Sequence, residues 1–129
     1  MRIQKFNRPS DESLVIVQCE LLNHKVALAI DTGASHTTID LTALLIAGIE
    51  IKESLRIEKL ETASGIIEVY VFKVPEFTAL GIKKFDSEIC AYDFFAHNVL
   101  SEFDGVLGID FLSDHKICID FKISEIAIQ

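Results

Sequence analysis

Val26-Ala27-Leu28-Ala29-Ile30 is an apolar run that passes directly into Asp31, and this junction restricts the folds open to the chain. A strand this apolar belongs inside a core. An unpaired carboxylate is nevertheless costly to bury unless its pKa shifts or partners are supplied. The fold must therefore bury the strand and still bring its last residue to a place where an acid is useful. Thr32 adds a hydroxyl able to bond across a tight loop, and Gly33 permits a turn that other residues resist. Thr37-Thr38-Ile39 then supplies β-branched residues suited to a second strand. The order is strand, acid-bearing loop, strand.

Most of the remaining sequence also divides into short strand-like pieces. Residues 14–22 and 25–30 flank Asn23-His24, a pair compatible with a hairpin turn that makes the acid-bearing loop the end of the second arm. Asp40 is placed to cap a short helix through Leu41, Leu44 and Leu45, with Gly48 to stop it. Residues 49–60 alternate partially between apolar and charged, as in a half-exposed strand. The small residues Thr62-Ala63-Ser64-Gly65 read as a hairpin tip between arms at 55–61 and 66–74. Residues 75–81 read as a bend, 82–92 as a long strand or strand pair, and 93–103 as a loop whose Phe94, Phe95 and Phe103 suit a core or an interface. After Ser113-Asp114-His115, residues 116–121 alternate towards a final hairpin with 126–128. The expected fold class is all-β: a closed or strongly curved barrel with one or two short helices and Asp31 at its mouth.

Composition narrows the functions. With 129 residues, half of them hydrophobic and a quarter charged, the chain suits one domain, 1–129, with a real core and no disorder signature. Its 20 acidic and 12 basic residues leave a net charge of −8, and no Lys/Arg cluster forms, so a nucleic-acid surface is not expected. Nor is a membrane partner, because no apolar window is long enough to span a bilayer. The first residues lack the apolar core of a secretory signal, which makes a cytoplasmic location the expectation. Cys19, Cys90 and Cys118 are odd in number and widely spaced, and read as buried, reduced core residues. His115 and Cys118 lack a second ligand pair, so neither a metal nor any other cofactor is expected.

Asp31-Thr32-Gly33-Ala34-Ser35, after its apolar strand, resembles the active-site loop of retropepsin-like aspartic proteases, single-domain relatives of pepsin. Asp104-Gly105-Val106-Leu107-Gly108-Ile109-Asp110-Phe111-Leu112 resembles the same family's late glycine motif and its short following helix. In that family the late strand packs behind the catalytic loop, and Gly108 would let the two backbones approach closely. The resemblance implies a retropepsin-like closed barrel, Asp31 as the catalytic acid, and Thr32, Gly33 and Ala34 as its support. It further implies that Gly33 and Ser35 meet substrate, and that the tip with Ala63, Ser64 and Gly65 is a flap closing over a bound peptide. Residues 1–13 are then either a mobile terminal arm or an edge strand given to a partner.

One acid per chain is half of what this chemistry needs. Two carboxylates in close proximity separate their ionisations, so that one stays charged as the base for a water while the other stays protonated to polarise the peptide carbonyl. Asp120 follows an echo of the first strand but precedes Phe121-Lys122, and Asp104-Gly105 reads as a turn, so neither is a second catalytic acid. A homodimer with Asp31 of each subunit on a two-fold axis is therefore expected. Ser35 and His36 stand where viral enzymes carry acids, so the viral substrate preference and dimer bridge do not transfer. The leading reading is an aspartic endopeptidase acting on peptides or proteins. The alternatives are a peptide-binding or scaffolding dimer with weak or no cleavage, and a monomeric barrel whose Asp-Thr-Gly is only a turn.

Overall fold

A computed structural model describes residues 2–8, 10, 13–62, 65–94 and 103–129 of the chain. Strand β2 (Ile16–Leu21) and strand β3 (His24–Ile30) form the antiparallel hairpin that ends in Asp31. Val17, Cys19 and Leu21 alternate onto the core face at 1%, 1% and 0% exposure, which is why this segment is a strand. The turn is Leu22-Asn23, not the expected Asn23-His24, because His24 already pairs with Leu21. Leu22 and Asn23 both take positive φ, 49° and 70°, the two-residue geometry that matches the twist of the flanking strands.

Strand β4 (Thr38–Asp40) leads into helix α1 (Leu41–Ile46), whose Leu41 and Leu44 are buried. Gly48 ends the helix as expected. At φ +95° it lets its own N–H reach the Leu45 carbonyl and that of Ile49 reach Leu44, satisfying carbonyls the helix leaves free. The half-exposed strand expected from residue 49 begins later. Ile51–Glu53 forms a single 3-10 turn closed by a reciprocal Glu50/Glu53 capping box, and strand β5 is Arg56–Thr62.

Strand β6 (Gly65–Ala79) pairs with β5 over its first half and with strand β7 (Ile82–Tyr92) along most of its length. The bend expected at residues 75–81 is absent: β6 passes through Pro75 and turns at Leu80-Gly81. Pro75 is tolerated because it sits in a gap. The β5 ladder ends at Val71, the β2 ladder starts at Phe77, and the β7 ladder skips from Val74 to Glu76 opposite Asp86, whose φ is +53°.

Strand β8 (Gly105–Leu107) lies between β3, to which it is parallel, and β4, to which it is antiparallel. Gly105 has φ +153°, and a Cβ there would stand 2.1 Å from the Thr38 carbonyl oxygen, so only glycine permits this approach. The strand order β2-β3-β8-β4-β7-β6 closes on itself through the pairing of β6 with β2, giving a six-stranded barrel with β5 outside it. Phe72, Phe77, Leu28, Ile39, Leu44, Ile89 and Leu107 fill the barrel. The all-β expectation with two short helices is met, the second being α2 (Ile109–Leu112). Neither helix is long and apolar enough to cross a membrane.

A separate sheet joins the chain ends in the order β1 (Arg2–Lys5), β10 (Glu125–Ile128), β9 (Ile117–Asp120). The first residues thus pair within their own chain, and Phe6 is buried beside them. Asp120 holds the β9 to β10 turn by accepting the Lys122 and Ile123 N–H groups at 2.9 and 3.3 Å. Cys19 and Cys90 are buried free thiols, pushed by burial up to about 12 and about 11. Cys118 corrects the expectation of three core cysteines: it is exposed, because β9 is an edge strand that turns Ile117 and Ile119 inward and the residue between them outward.

Helix α2 ties the late strand to the acid-bearing loop. Asp110 accepts the Thr37 N–H at 2.9 Å and the Thr37 hydroxyl at 2.8 Å, and Thr37 Oγ1 in turn accepts the Gly108 N–H at 3.1 Å. Thr37 is 2% exposed, so Asp110→Ala leaves buried donors unpaired and is expected to cost about 1–2 kcal/mol in thermal or denaturant unfolding, with Asp110→Asn costing less. Asp40 occupies the N-cap of α1 but forms no capping bond, and its Oδ1 is buried with no partner among the described residues. Burial first, then the charges of Asp93 and Asp104, push its carboxyl above the ordinary value of 3.8, with partial relief from the backbone of Phe94 and Thr42. A raised acid is penalised when ionised in the fold, and the penalty fades as pH falls through its folded pKa. Asp40→Asn should therefore raise Tm at neutral pH, with the gain shrinking as the solution is acidified; a constant difference across pH would contradict this.

Candidate active site

Strand β3 delivers Asp31 to the surface as a half-buried residue whose backbone is fixed from two sides. The Asp31 N–H donates to the Leu107 carbonyl of β8 at 3.1 Å, and its carbonyl accepts the Ala34 N–H at 3.2 Å. Its Oδ1 accepts the Gly33 N–H at 2.8 Å, which aims the carboxylate along the loop. Gly33 does not adopt the left-handed backbone that its position in a tight loop suggested. Its requirement is space, since a Cβ would come within 3.2 Å of Asp31 Oδ1 and crowd the carboxylate.

The far side of the loop is held by the late motif. The Ala34 carbonyl accepts the Ile109 N–H at 2.8 Å, and a Cβ on Gly108 would lie 2.7 Å from the His36 carbonyl carbon and 2.9 Å from the Ala34 oxygen. The close approach expected at Gly108 is thus present, with less than a methyl group of clearance. Thr32, Gly33, Ser35 and His36 remain exposed on the single chain, and Ser35 Oγ lies 2.8 Å from His36 Nδ1.

Asp31, Gly33, Ala34, Ser35 and His36 line one side of a cavity of about 340 Å³. Leu60, Glu61, Thr62 and Ile67 of the β5/β6 hairpin line it too, so the hairpin whose tip was read as a flap stands over the acid. Thr62 pairs with Gly65 and donates its hydroxyl to the Gly65 carbonyl at 2.7 Å, closing the tip; Gly65 has φ +120°. Ala63 and Ser64, the other expected tip residues, lie outside the described residues. Val69, Val71 and Cys90 form a small core under the hairpin, with Leu60, Ile67 and Tyr92 packed against it. This core anchors the two arms of the hairpin.

Phe94, expected in a core or an interface, forms part of the cavity wall and meets Tyr92 edge to face at 5.0 Å between ring centroids. Phe95 lies outside the described residues. Two residues that position the loop had no visible signal in the sequence. Thr37 read only as a β-branched strand residue, and Asp110 as one member of the late motif. Asp104 read as a turn, yet its carboxylate accepts the Ala27 N–H at 2.8 Å while its own N–H donates to the Ala27 carbonyl at 2.7 Å, pinning β3 just before the acid. Such pairs span more than seventy positions and leave no local pattern.

A family model described as Aspartyl protease matches residues 17–111, the stretch that contains the acid-bearing loop, the hairpin and the late motif. No curated protein matches the chain. Among solved structures, the chain is similar to a retropepsin-like aspartic protease from Rickettsia conorii, with a TM-score of 0.69 and 17% identity over 98% of this chain and 87% of that one. The closed barrel agrees with the structural likeness, and the chain belongs to the aspartyl protease family, with a retropepsin-like fold.

Proposed function

We propose that the chain is an aspartic endopeptidase that works as a homodimer, with Asp31 of each subunit meeting across a two-fold axis. The observation that carries this reading is the placement of Asp31, within an intact Asp31-Thr32-Gly33-Ala34 loop, in a cavity overhung by the β5/β6 hairpin. The loop is braced from behind and open in front, so its carboxylate is available to a reacting group and not consumed by the core.

Each subunit supplies one carboxylate. With two close together, one stays ionised and draws a proton from a water as that water attacks the scissile carbonyl, while the other stays protonated and hydrogen-bonds the carbonyl oxygen. The proton then passes to the leaving amine, and the carboxylates return to sharing one proton. Thr32 would hold the two loops together across the axis. Gly33 would lie along the peptide backbone and Ser35 beside it, and the hairpin tip at Ala63, Ser64 and Gly65 would close over the peptide and exclude water.

Purified protein should cleave denatured casein and sediment as a dimer, and Asp31→Asn should lower cleavage on the order of a thousandfold or more without loss of the fold. Equal cleavage by the two proteins, or a stable monomer that cleaves, would reject the mechanism. No cleavage by either, with a dimer still formed, would favour a peptide-binding role. Ala34 offers no hydroxyl to stabilise an ionised carboxylate beside it, so the activity optimum should be only mildly acidic, and Ala34→Ser should move it to lower pH. A profile already peaking near about pH 2 would contradict that account.

A further inference from the structure

Glu61 brings a second carboxylate to the cavity that holds Asp31. It lies near the end of β5 and is exposed, and among the described residues no ion pair or hydrogen bond engages its side chain. Lys59, two residues back on the same face of β5, stands opposite Glu68 of β6, which offers it an acid of its own. The folded chain therefore leaves the charge of Glu61 turned to the cavity and unanswered.

His36, on the acid-bearing loop, is the one basic side chain among the described residues of the same wall. Thr38 of β4, Ile67 of β6, Val106 of β8 and Phe94 complete the surroundings without adding a titratable group. Ser35 Oγ lies 2.8 Å from His36 Nδ1. A hydroxyl donates to a neutral imidazole and accepts from a protonated one, so this contact serves both charge states. Histidine gains its proton between roughly pH 8 and pH 5, a range in which an ordinary glutamate is ionised. Apart from Asp31 itself, the wall thus carries −1 when His36 is neutral and −1 + 1 = 0 when it is protonated.

We propose that Glu61 is a specificity-determining residue that receives a lysine or arginine side chain of the substrate, and that His36 weakens this preference as the solution is acidified. The proposal deepens the proteolytic reading of Asp31 and rests on it. The substrate class is then a cationic polypeptide, which the excess of 20 acidic over 12 basic residues also attracts at long range. An exposed ion pair is modest, so the preference for lysine over a neutral side chain is about threefold to fivefold. Selection is sharpest near neutrality. Under mildly acidic conditions, where cleavage should be fastest, the site becomes tolerant of uncharged sequence.

The test passes a pooled peptide library, with Lys, Gln and Glu in equal share at every position, over immobilised full-length Asp31→Asn protein at about pH 7.5 and about pH 5.5. The retained peptides are sequenced. Lysine should exceed glutamine at one position by about threefold to fivefold at the higher pH and by less than about twofold at the lower. Glu61→Gln should abolish the excess, Glu61→Asp should keep it, and His36→Gln should make it equal at the two pH values. Both side chains are exposed, so Tm should not change. Glu20→Gln removes the same charge from an exposed site on β2 outside the cavity and should leave the excess intact. An excess that survives Glu61→Gln, one lost equally in Glu20→Gln, a pH dependence that persists in His36→Gln, or no retention by any of the proteins would overturn the proposal. Casein cleavage by the unsubstituted protein is scored separately. Cleavage with no lysine excess removes the charge preference alone, whereas a Glu61-dependent excess without cleavage removes the proteolytic reading and keeps the preference.

Discussion

Thr37 and Asp110 form the contact on which the geometry of the acid-bearing loop depends. The loop leaves β3 at Asp31 and must rejoin the barrel at β4, and between those strands it has no ladder of its own. Asp110 takes both donors of Thr37, Thr37 takes the N–H of Gly108, and Ala34 takes the N–H of Ile109, so the loop is stitched to the start of α2 by side-chain and backbone bonds together. Buried donors with defined acceptors are expensive to rearrange. The stitching is possible only because Gly105 and Gly108 let β8 and α2 press against Thr38, Ala34 and His36 at distances a side chain would forbid.

This arrangement separates rigidity from access. Behind the loop, the barrel core is filled by large residues with almost no exposure. In front, Thr32, Gly33, Ser35 and His36 are exposed, and the hairpin overhead rests on a small core of its own, apart from the main one. A carboxylate held from behind and free in front suits chemistry that needs an acid in one fixed place.

Much of the fold was legible in the sequence because it is written locally. Alternating apolar residues, the glycine after α1, the small residues at the hairpin tip and the apolar run before Asp31 each declare their element within a few positions. The misreadings share a cause: in each, the strand pairing or packing of the folded chain overrode the signal of the residue itself. Pro75 signals a bend, but it falls in a gap between two ladders, and the strand continues. Asn23-His24 looks like the better turn, but the register with β2 recruits His24 into the strand. Cys118 sits in an apolar stretch, yet only the sheet order shows that its strand is an edge. Asp40 has the identity and place of a helix cap, but its Oδ1 is buried with no partner among the described residues.

The unbroken course of β6 has a mechanical meaning. Its first residues are an arm of the hairpin over Asp31, and its last residues form the seam where the barrel closes against β2. A single continuous strand therefore joins a wall of the cavity that holds the acid to the joint that keeps the barrel shut. Phe77 and Ala79, which pair with Leu21 and Cys19 across the seam, therefore belong to the same strand as Ile67 in the cavity wall, and a change at the closure of the barrel acts on the backbone that shapes the site.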